Sequence, residues 1–174
     1  PQQRALFRLT LHNRDHLMAE MPMRICHPPM ESLEWQNKTG SDPKNWPWSY
    51  HNGGHWPSLL WFFGGSILLH ERRHPHADVL LMGQMKALLE ECYWSHLNQL
   101  PRQQWAEYFD GPTGTWVGQQ SRTYQTWTIV GFLLLHHFLR VNPDDVLLLD
   151  LDEGAVPDPE EDEPENIDQE WDQH

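Results

Sequence analysis

Several things are scarce in this 174-residue chain, and each scarcity removes a class of function. There are only two cysteines, Cys26 and Cys92. They offer no disulfide framework and no metal-ligand spacing, so they read as reduced, structural thiols. Long apolar runs are absent too, and mean hydropathy is −0.70. The most apolar stretch, Thr128 to Leu139, is interrupted by His136 and His137 and is too short to span a bilayer. No signal or transit pattern is present. No nucleophile elbow, phosphate loop or nucleotide fingerprint occurs. The chain carries 12 histidines, yet His70, His74, His76, His136 and His137 lack the accompanying Cys or carboxylate pattern of a metal site. No metal site is expected.

Bases are few as well, 12 Lys and Arg against 25 acids, for a net charge of −13. That imbalance is local. Asp150 to His174 holds 12 acids and no Lys or Arg, leaving 13 acids against 12 bases in residues 1–149. The body is therefore nearly neutral, with nothing to draw it to nucleic acid. The acidic stretch, with three prolines and few core residues, is expected to be a disordered, solvated tail. The division is thus 1–149 and 150–174. The chain starts at Pro1 and is already helical in pattern by Arg4-Ala-Leu-Phe-Arg-Leu, which reads as the interior of a longer protein.

Apolar periodicity predicts a helix from Arg4 to about Met18, a short turn of helix over Glu31 to Lys38, and a helix from about Trp56 to His70. A further helix covers about Ala77 to His96, with Leu81, Met85, Leu88, Leu89 and Cys92 on one stripe. The last long one runs from about Ser121 to Arg140, with Tyr124, Trp127, Gly131, Leu135 and Phe138 on one face. A short helix capped by Asn142 ends near Leu149. Between them lie Pro-broken, Trp-rich segments, and Phe109-Asp-Gly-Pro-Thr-Gly-Thr-Trp has the look of a hairpin or tight turn. The fold class is all-α, with irregular loops gathered at helix ends.

The richest stretch is Gly40-Ser-Asp-Pro-Lys-Asn-Trp-Pro-Trp-Ser-Tyr-His-Asn-Gly-Gly54. Its prolines and closing Gly pair exclude regular structure. Rings can cover the apolar faces of a pyranose while Asn, Asp and His reach its hydroxyls. The competing reading is a Trp-rich packing corner. Pro57 suits the first turn of the next helix, which His55 or Asn52 could cap. A second cluster is Trp105-Ala-Glu107-Tyr-Phe-Asp110-Gly. Glu107, flanked by rings, is the best candidate for general acid/base work, since desolvation raises a carboxyl pKa. A Glu in an aromatic turn also serves structure, and its neighbours must decide. Asp110, before Gly-Pro, reads as a turn former. A third cluster is Gly118-Gln-Gln-Ser-Arg122-Thr-Tyr-Gln. Ser121 is a plausible N-cap, which puts Arg122 in a first helical turn against the macrodipole and hints at a nearby carboxylate or ligand. Gln119, Gln120 and Gln125 add neutral partners for hydroxyls.

Four motifs taken together, in order and spacing over about residues 15–140, resemble the alkaline/neutral invertases, glycoside hydrolase family 100. They are Met21-Pro-Met-Arg-Ile-Cys-His-Pro, the run from Gly40 to Pro57, Trp105-Ala-Glu-Tyr-Phe-Asp-Gly, and Gly118-Gln-Gln-Ser-Arg-Thr-Tyr-Gln-Thr-Trp. The resemblance implies the C-terminal part of an (α/α)6 barrel. It also implies a cytoplasmic glycosidase that cleaves sucrose to glucose and fructose with inversion and without a cofactor. Its partner is then a small sugar rather than nucleic acid or membrane, and homo-oligomers are open to it. By the family pattern, Glu107 matches the general base and Trp48, Tyr50, His51, Asn52, Trp56, Gln120 and Arg122 are expected sugar contacts. The general acid, an Asp, belongs to the family's N-terminal half, so residues 1–174 alone are expected to be inactive. The pattern is broken at His27 and Ala106, where the family has Tyr and Pro. A weaker echo of Tyr-His-Asn-Gly…Trp-Pro in other helical-toroid α-glucosidases leaves a glucan- or trehalose-cleaving enzyme as the alternative, beside a catalytically inactive sugar-binding fragment.

Overall fold

A computed structural model describes residues 2–31, 33–40, 42, 44 and 46–149. The acidic stretch from Asp150, and Ser41, Pro43 and Asn45 of the ring-rich loop, lie outside the described residues. Among the described residues six α-helices carry the fold: α1 (Gln2–His12), α2 (Arg14–Leu17), α3 (Leu33–Thr39), α4 (Leu59–Arg73), α5 (Val79–Gln99) and α6 (Thr126–His136). A 3-10 turn, Gly118–Gln120, precedes α6. A π-helical turn, His137–Val141, and a 3-10 stretch, Pro143–Leu149, follow it. Among the described residues there is no strand, only isolated bridges. The chain is all-α.

The helices that are apolar on one side pack as the periodicity requires. Leu81, Met85, Leu88, Leu89 and Cys92 of α5 are all buried. They meet Leu60 and Ile67 of α4, Phe7 of α1, and Leu135 of α6 in one core. Full burial of such side chains stabilises by about 1.5–3 kcal/mol each. The 3-10 stretch then folds back along α4, where Leu149 reaches Gly65 and Asp144 reaches Arg72 at 2.5 Å.

Several helix ends shift by two to four residues from the sequence expectation, α4 starting at Leu59 so that Pro57 precedes it. Two boundaries differ more. The first helix breaks at Asn13, whose side-chain amide donates to the Leu9 carbonyl at 2.9 Å and whose backbone leaves the helical region. A short polar side chain bonding back to the previous turn commonly bends or ends a helix. The last helix begins at Thr126, not Ser121. Residues 121–125 are drawn out of helical geometry by backbone bonds to the Glu107 segment: Glu107 N–H to Arg122 O (2.8 Å), Tyr124 N–H to Gln104 O (2.7 Å) and Gln125 N–H to Trp105 O (3.0 Å). Tyr124 is therefore outside the helix and 65% exposed, and Trp127 is half-exposed, while Gly131, Leu135 and Phe138 do face the core.

Candidate functional site

Three irregular segments converge at one end of the helices. The first is the ring-rich loop up to Trp56, the second runs from Gln104 to Gly111, and the third from Trp116 to Gln125. The first and second are paired through His55 and Phe109, which exchange backbone hydrogen bonds at 3.0 Å in both directions, and through Gly111 N–H to Trp48 O at 2.8 Å. The second and third are joined by the Glu107, Tyr124 and Gln125 bonds above. Ser121 reinforces them, its hydroxyl donating to Tyr108 O at 2.8 Å and accepting from Tyr108 N–H at 3.1 Å. Ser121 is thus a buried brace between loops rather than a helix cap. Arg122 lies ahead of α6, so no helix dipole acts on it in the way the sequence suggested.

Close backbone approach explains the glycines. A Cβ on Gly54 would stand 2.6 Å from Tyr50 O, and one on Gly111 would stand 2.5 Å from Gly53 O and 2.8 Å from Trp48 O. Gly53 takes φ of +99°, a conformation L side chains rarely adopt. The loop they permit carries an aromatic cluster, buried at Trp56 and Tyr108 and open to solvent at His51. Tyr50 stacks on His51 at 3.9 Å, and its ring meets Trp56 and Tyr108 edge-on, each at 5.1 Å. Trp56 lies parallel to Tyr108 at 5.5 Å, and its indole N–H donates to Tyr50 O at 3.0 Å. Trp48 and Tyr50 both hold positive φ, +71° and +40°, so their side chains point where ordinary extended backbone would not send them.

Glu107 sits beside this cluster, half-buried between buried Ala106 and buried Tyr108. Burial raises the Tyr108 phenol above its ordinary pKa. A hydrogen bond to Ser49 opposes this, while the Glu107 carboxylate and the Tyr50 phenol push the same way as burial. Those influences put Glu107, Tyr50 and Tyr108 within electrostatic reach of one another. The Tyr108 hydroxyl donates to Gln120 O at 3.2 Å, which draws the third segment in as well. Gln120 and Arg122 are exposed on that rim. Asp110 forms the turn, its carboxylate accepting from Thr113 N–H at 3.0 Å and Thr113 hydroxyl at 2.7 Å. The expected hairpin is this tight turn, closed by the Phe109–Trp116 bridge.

Tyr50, His51 and Trp56 thus cluster at Tyr108 beside Glu107, and Gln120 and Arg122 join them through backbone carbonyls. The Trp48 ring instead packs on Arg24 and His27, and Trp56 is buried. Asn52 stands apart. It is fully buried, its carbonyl oxygen accepting from Met30 N–H at 2.6 Å and its amide donating to Met30 O at 2.8 Å. Its side chain clamps the chain at Met30 and organises the loop from beneath. Neither Asn52 nor His55 caps α4, whose N-cap Ser58 makes no side-chain cap bond. His55 is buried, with Nε2 2.9 Å from Gly111 O. Its pKa is lowered to about 4, by burial first, opposed by the Gly111 carbonyl and assisted by Arg24. His27, where the family pattern has Tyr, stacks on His16 at 4.0 Å and lies 5.8 Å from Trp48.

Among the described residues no group of three or more His, Cys, Asp or Glu gathers as metal ligands, and no helix is long and apolar enough to cross a membrane. Cys26 and Cys92 are free thiols. A cavity of about 670 Å³ opens elsewhere, lined by residues such as Leu68, Arg72, Lys86, Glu90 and Phe138. It carries none of the site residues, and its charged groups are paired, Lys86 with Glu71 at 2.9 Å in the lining itself, and Arg72 with Asp144 and Glu90 with Arg140 beyond it. Residues that sequence reasoning passed over are Arg24, His55 as a brace, and Tyr108. Tyr108 was legible as Glu107's neighbour, whereas nothing local marks Arg24 or His55 as partners of Gly111.

The family profile for alkaline and neutral invertase matches residues 1–143. The chain belongs to the alkaline and neutral invertase family. It is 43% identical over 143 residues to a probable alkaline/neutral invertase A, chloroplastic, of Arabidopsis thaliana, covering 82% of this chain and 20% of that protein. It is 46% identical over 119 residues to alkaline/neutral invertase C, mitochondrial, of the same plant, covering 68% and 16% respectively. Against cytosolic invertase 1 of Oryza sativa subsp. japonica it is 34% identical over 158 residues, covering 91% and 26%. The chain therefore spans about a sixth to a quarter of the length of these relatives. Their names place them in different compartments.

Proposed function

We propose that this invertase-family chain forms one wall of a sucrose-cleaving site in an inverting glycosidase, with Glu107 as the general base that activates water. The observation that carries the reading is the pairing of the Glu107 segment on one side with the ring-bearing loop and on the other with the Gln120–Arg122 rim. A carboxylate so placed has aromatic surface for a sugar face on one flank and hydrogen-bonding groups for its hydroxyls on the other. Tyr50, His51 and Trp48 supply the ring surface, with buried Trp56 packed against Tyr50. Gln120 and Arg122 supply the rim, and Asn52 the brace beneath. Inversion needs a second carboxyl about 6.5–9.5 Å from the base to protonate the glycosidic oxygen. That acid is contributed from outside residues 1–174, by other helices of an (α/α)6 barrel, in a cytoplasmic enzyme that acts on a soluble sugar.

In the full-length polypeptide, Glu107→Gln is expected to abolish sucrose hydrolysis while calorimetric sucrose binding stays within about threefold of the parent, because the amide keeps the shape and loses only the base. Sucrose turnover at a rate near the parent's would sink the assignment. Faster cleavage of maltooligosaccharides or trehalose than of sucrose by the parent would replace the substrate with an α-glucoside of those classes.

A further inference from the structure

We propose that Arg24 is a positioning residue for the sugar face, joining the ring-bearing loop to the segment after Glu107 and fixing where the Trp48 indole stands. The proposal rests on the glycosidase reading and adds a residue that makes no contact with the sugar in that reading.

Arg24 is 7% exposed. A buried cation is costly unless compensated, and among the described residues no carboxylate pairs with it. Its partners are carbonyls and rings. Nη1 donates to His16 O at 2.8 Å, Nη2 donates to Gly111 O at 2.6 Å, and His55 Nε2 lies 3.4 Å from the same Nη2. The guanidinium carbon stands 5.0 Å over the Trp48 ring. Among the described residues the Nε–H has no partner. Burial pulls the group below its ordinary pKa, with Cys26, Asp110 and Glu20 pulling the other way. An apolar side chain would fill this space at lower cost. What it could not supply is a flat fork that bonds two separate backbone segments while presenting a face to an indole.

Gly111 is where the two walls meet. Its N–H is held by Trp48 O and its carbonyl by Arg24, so both of its peptide groups are engaged, one with the loop and one with the guanidinium. Trp48 itself sits at φ of +71°, a conformation that persists in a bulky residue only when its surroundings over-determine it. Arg24 supplies that constraint from above the ring. Glu107 is held by its own N–H on Arg122 O, a bond in which neither Arg24 nor its partners take part. Loss of Arg24 therefore loosens the aromatic platform and leaves the carboxylate in position. Weaker binding of substrate and transition state alike raises KM and spares kcat.

The test compares Arg24→Met and Arg24→Lys in the full-length polypeptide, with sucrose kinetics and thermal unfolding for each. Met keeps length without charge, and Lys keeps charge without the fork. The expected result is KM for sucrose up about tenfold for Met and about threefold for Lys, with kcat within about threefold of the parent. Unchanged KM in both variants would overturn the proposal, as would a fall in kcat matching the loss of folded protein at constant KM. Should the Met variant fail to fold, the Lys variant decides: raised KM in a folded protein supports the role, and parental KM refutes it. The Glu107→Gln enzyme separates this from the underlying reading, since sucrose turnover in that variant defeats the glycosidase assignment whatever Arg24 does.

Discussion

Replacing Asn52 by Asp tests whether this side chain is a brace or a sugar ligand. The two residues are isosteric, so packing is unchanged. The acceptor oxygen that takes the Met30 N–H at 2.6 Å is kept. The donor to Met30 O at 2.8 Å becomes an oxygen facing an oxygen. One net hydrogen bond is lost, about 1 kcal/mol, and a buried carbonyl is left unsatisfied, about 1–3 kcal/mol more. The total at a pH where the new carboxyl is neutral is roughly 2–4 kcal/mol, less whatever a protonated carboxyl recovers by donating to Met30 O. Burial raises the folded pKa of the new group above its unfolded value of about 3.9. The folded state then binds more protons than the unfolded one, so stability falls further as pH rises above about 4, by about 1.4 kcal/mol per unit until the folded pKa is reached. Urea unfolding of the full-length protein at pH 5 and pH 8 measures both parts. The expected outcome is a lower midpoint at pH 5 and a wider gap from the parent at pH 8. A variant as stable as the parent at both pH values, with sucrose KM raised tenfold or more, would refute the brace and make Asn52 a ligand.

Two other outcomes follow from the same region. His55 and His96 are both buried with pKa values lowered to about 4, burial being the first cause in each. The unfolded chain takes up their protons first, so stability is fully present above pH ~6.5 and falls towards pH 4, by up to about 1.4 kcal/mol per unit for each ring. His55→Gln should flatten that slope in unfolding midpoints between pH 7 and 5, and a slope unchanged by the substitution would contradict the buried-neutral assignment. Gly111→Ala puts a methyl against Gly53 O and Trp48 O, and overpacking of this kind costs about 1–3 kcal/mol. Near-ultraviolet circular dichroism should report the displaced rings, and an unperturbed spectrum with parental stability would show that the two walls yield freely.

The sequence by itself determined the helices and the family. Apolar stripes such as Leu81, Met85, Leu88, Leu89 and Cys92 fix a buried helix face through the 3.6-residue period alone. The prolines and glycines around Trp46, Trp48 and Tyr50 forbid regular structure wherever they end up in space. Local chemistry of that kind is carried by neighbours in the chain and is legible without a fold.

Only the tertiary structure decided which residues touch. Ser121 and Arg122 look like a helix start because five residues later a helix does start. Arg122 is instead pulled into backbone pairing with Glu107, and Ser121 braces Tyr108 through its hydroxyl, a competition no local propensity encodes. Asn52 reads as a sugar ligand by residue type, yet its amide is spent on Met30, 22 residues away in sequence. Arg24 and Gly111 are 87 residues apart and share a hydrogen bond. Such contacts depend on how the loops close over the helix ends, and burial then favours a partner there for most of the polar groups they trap.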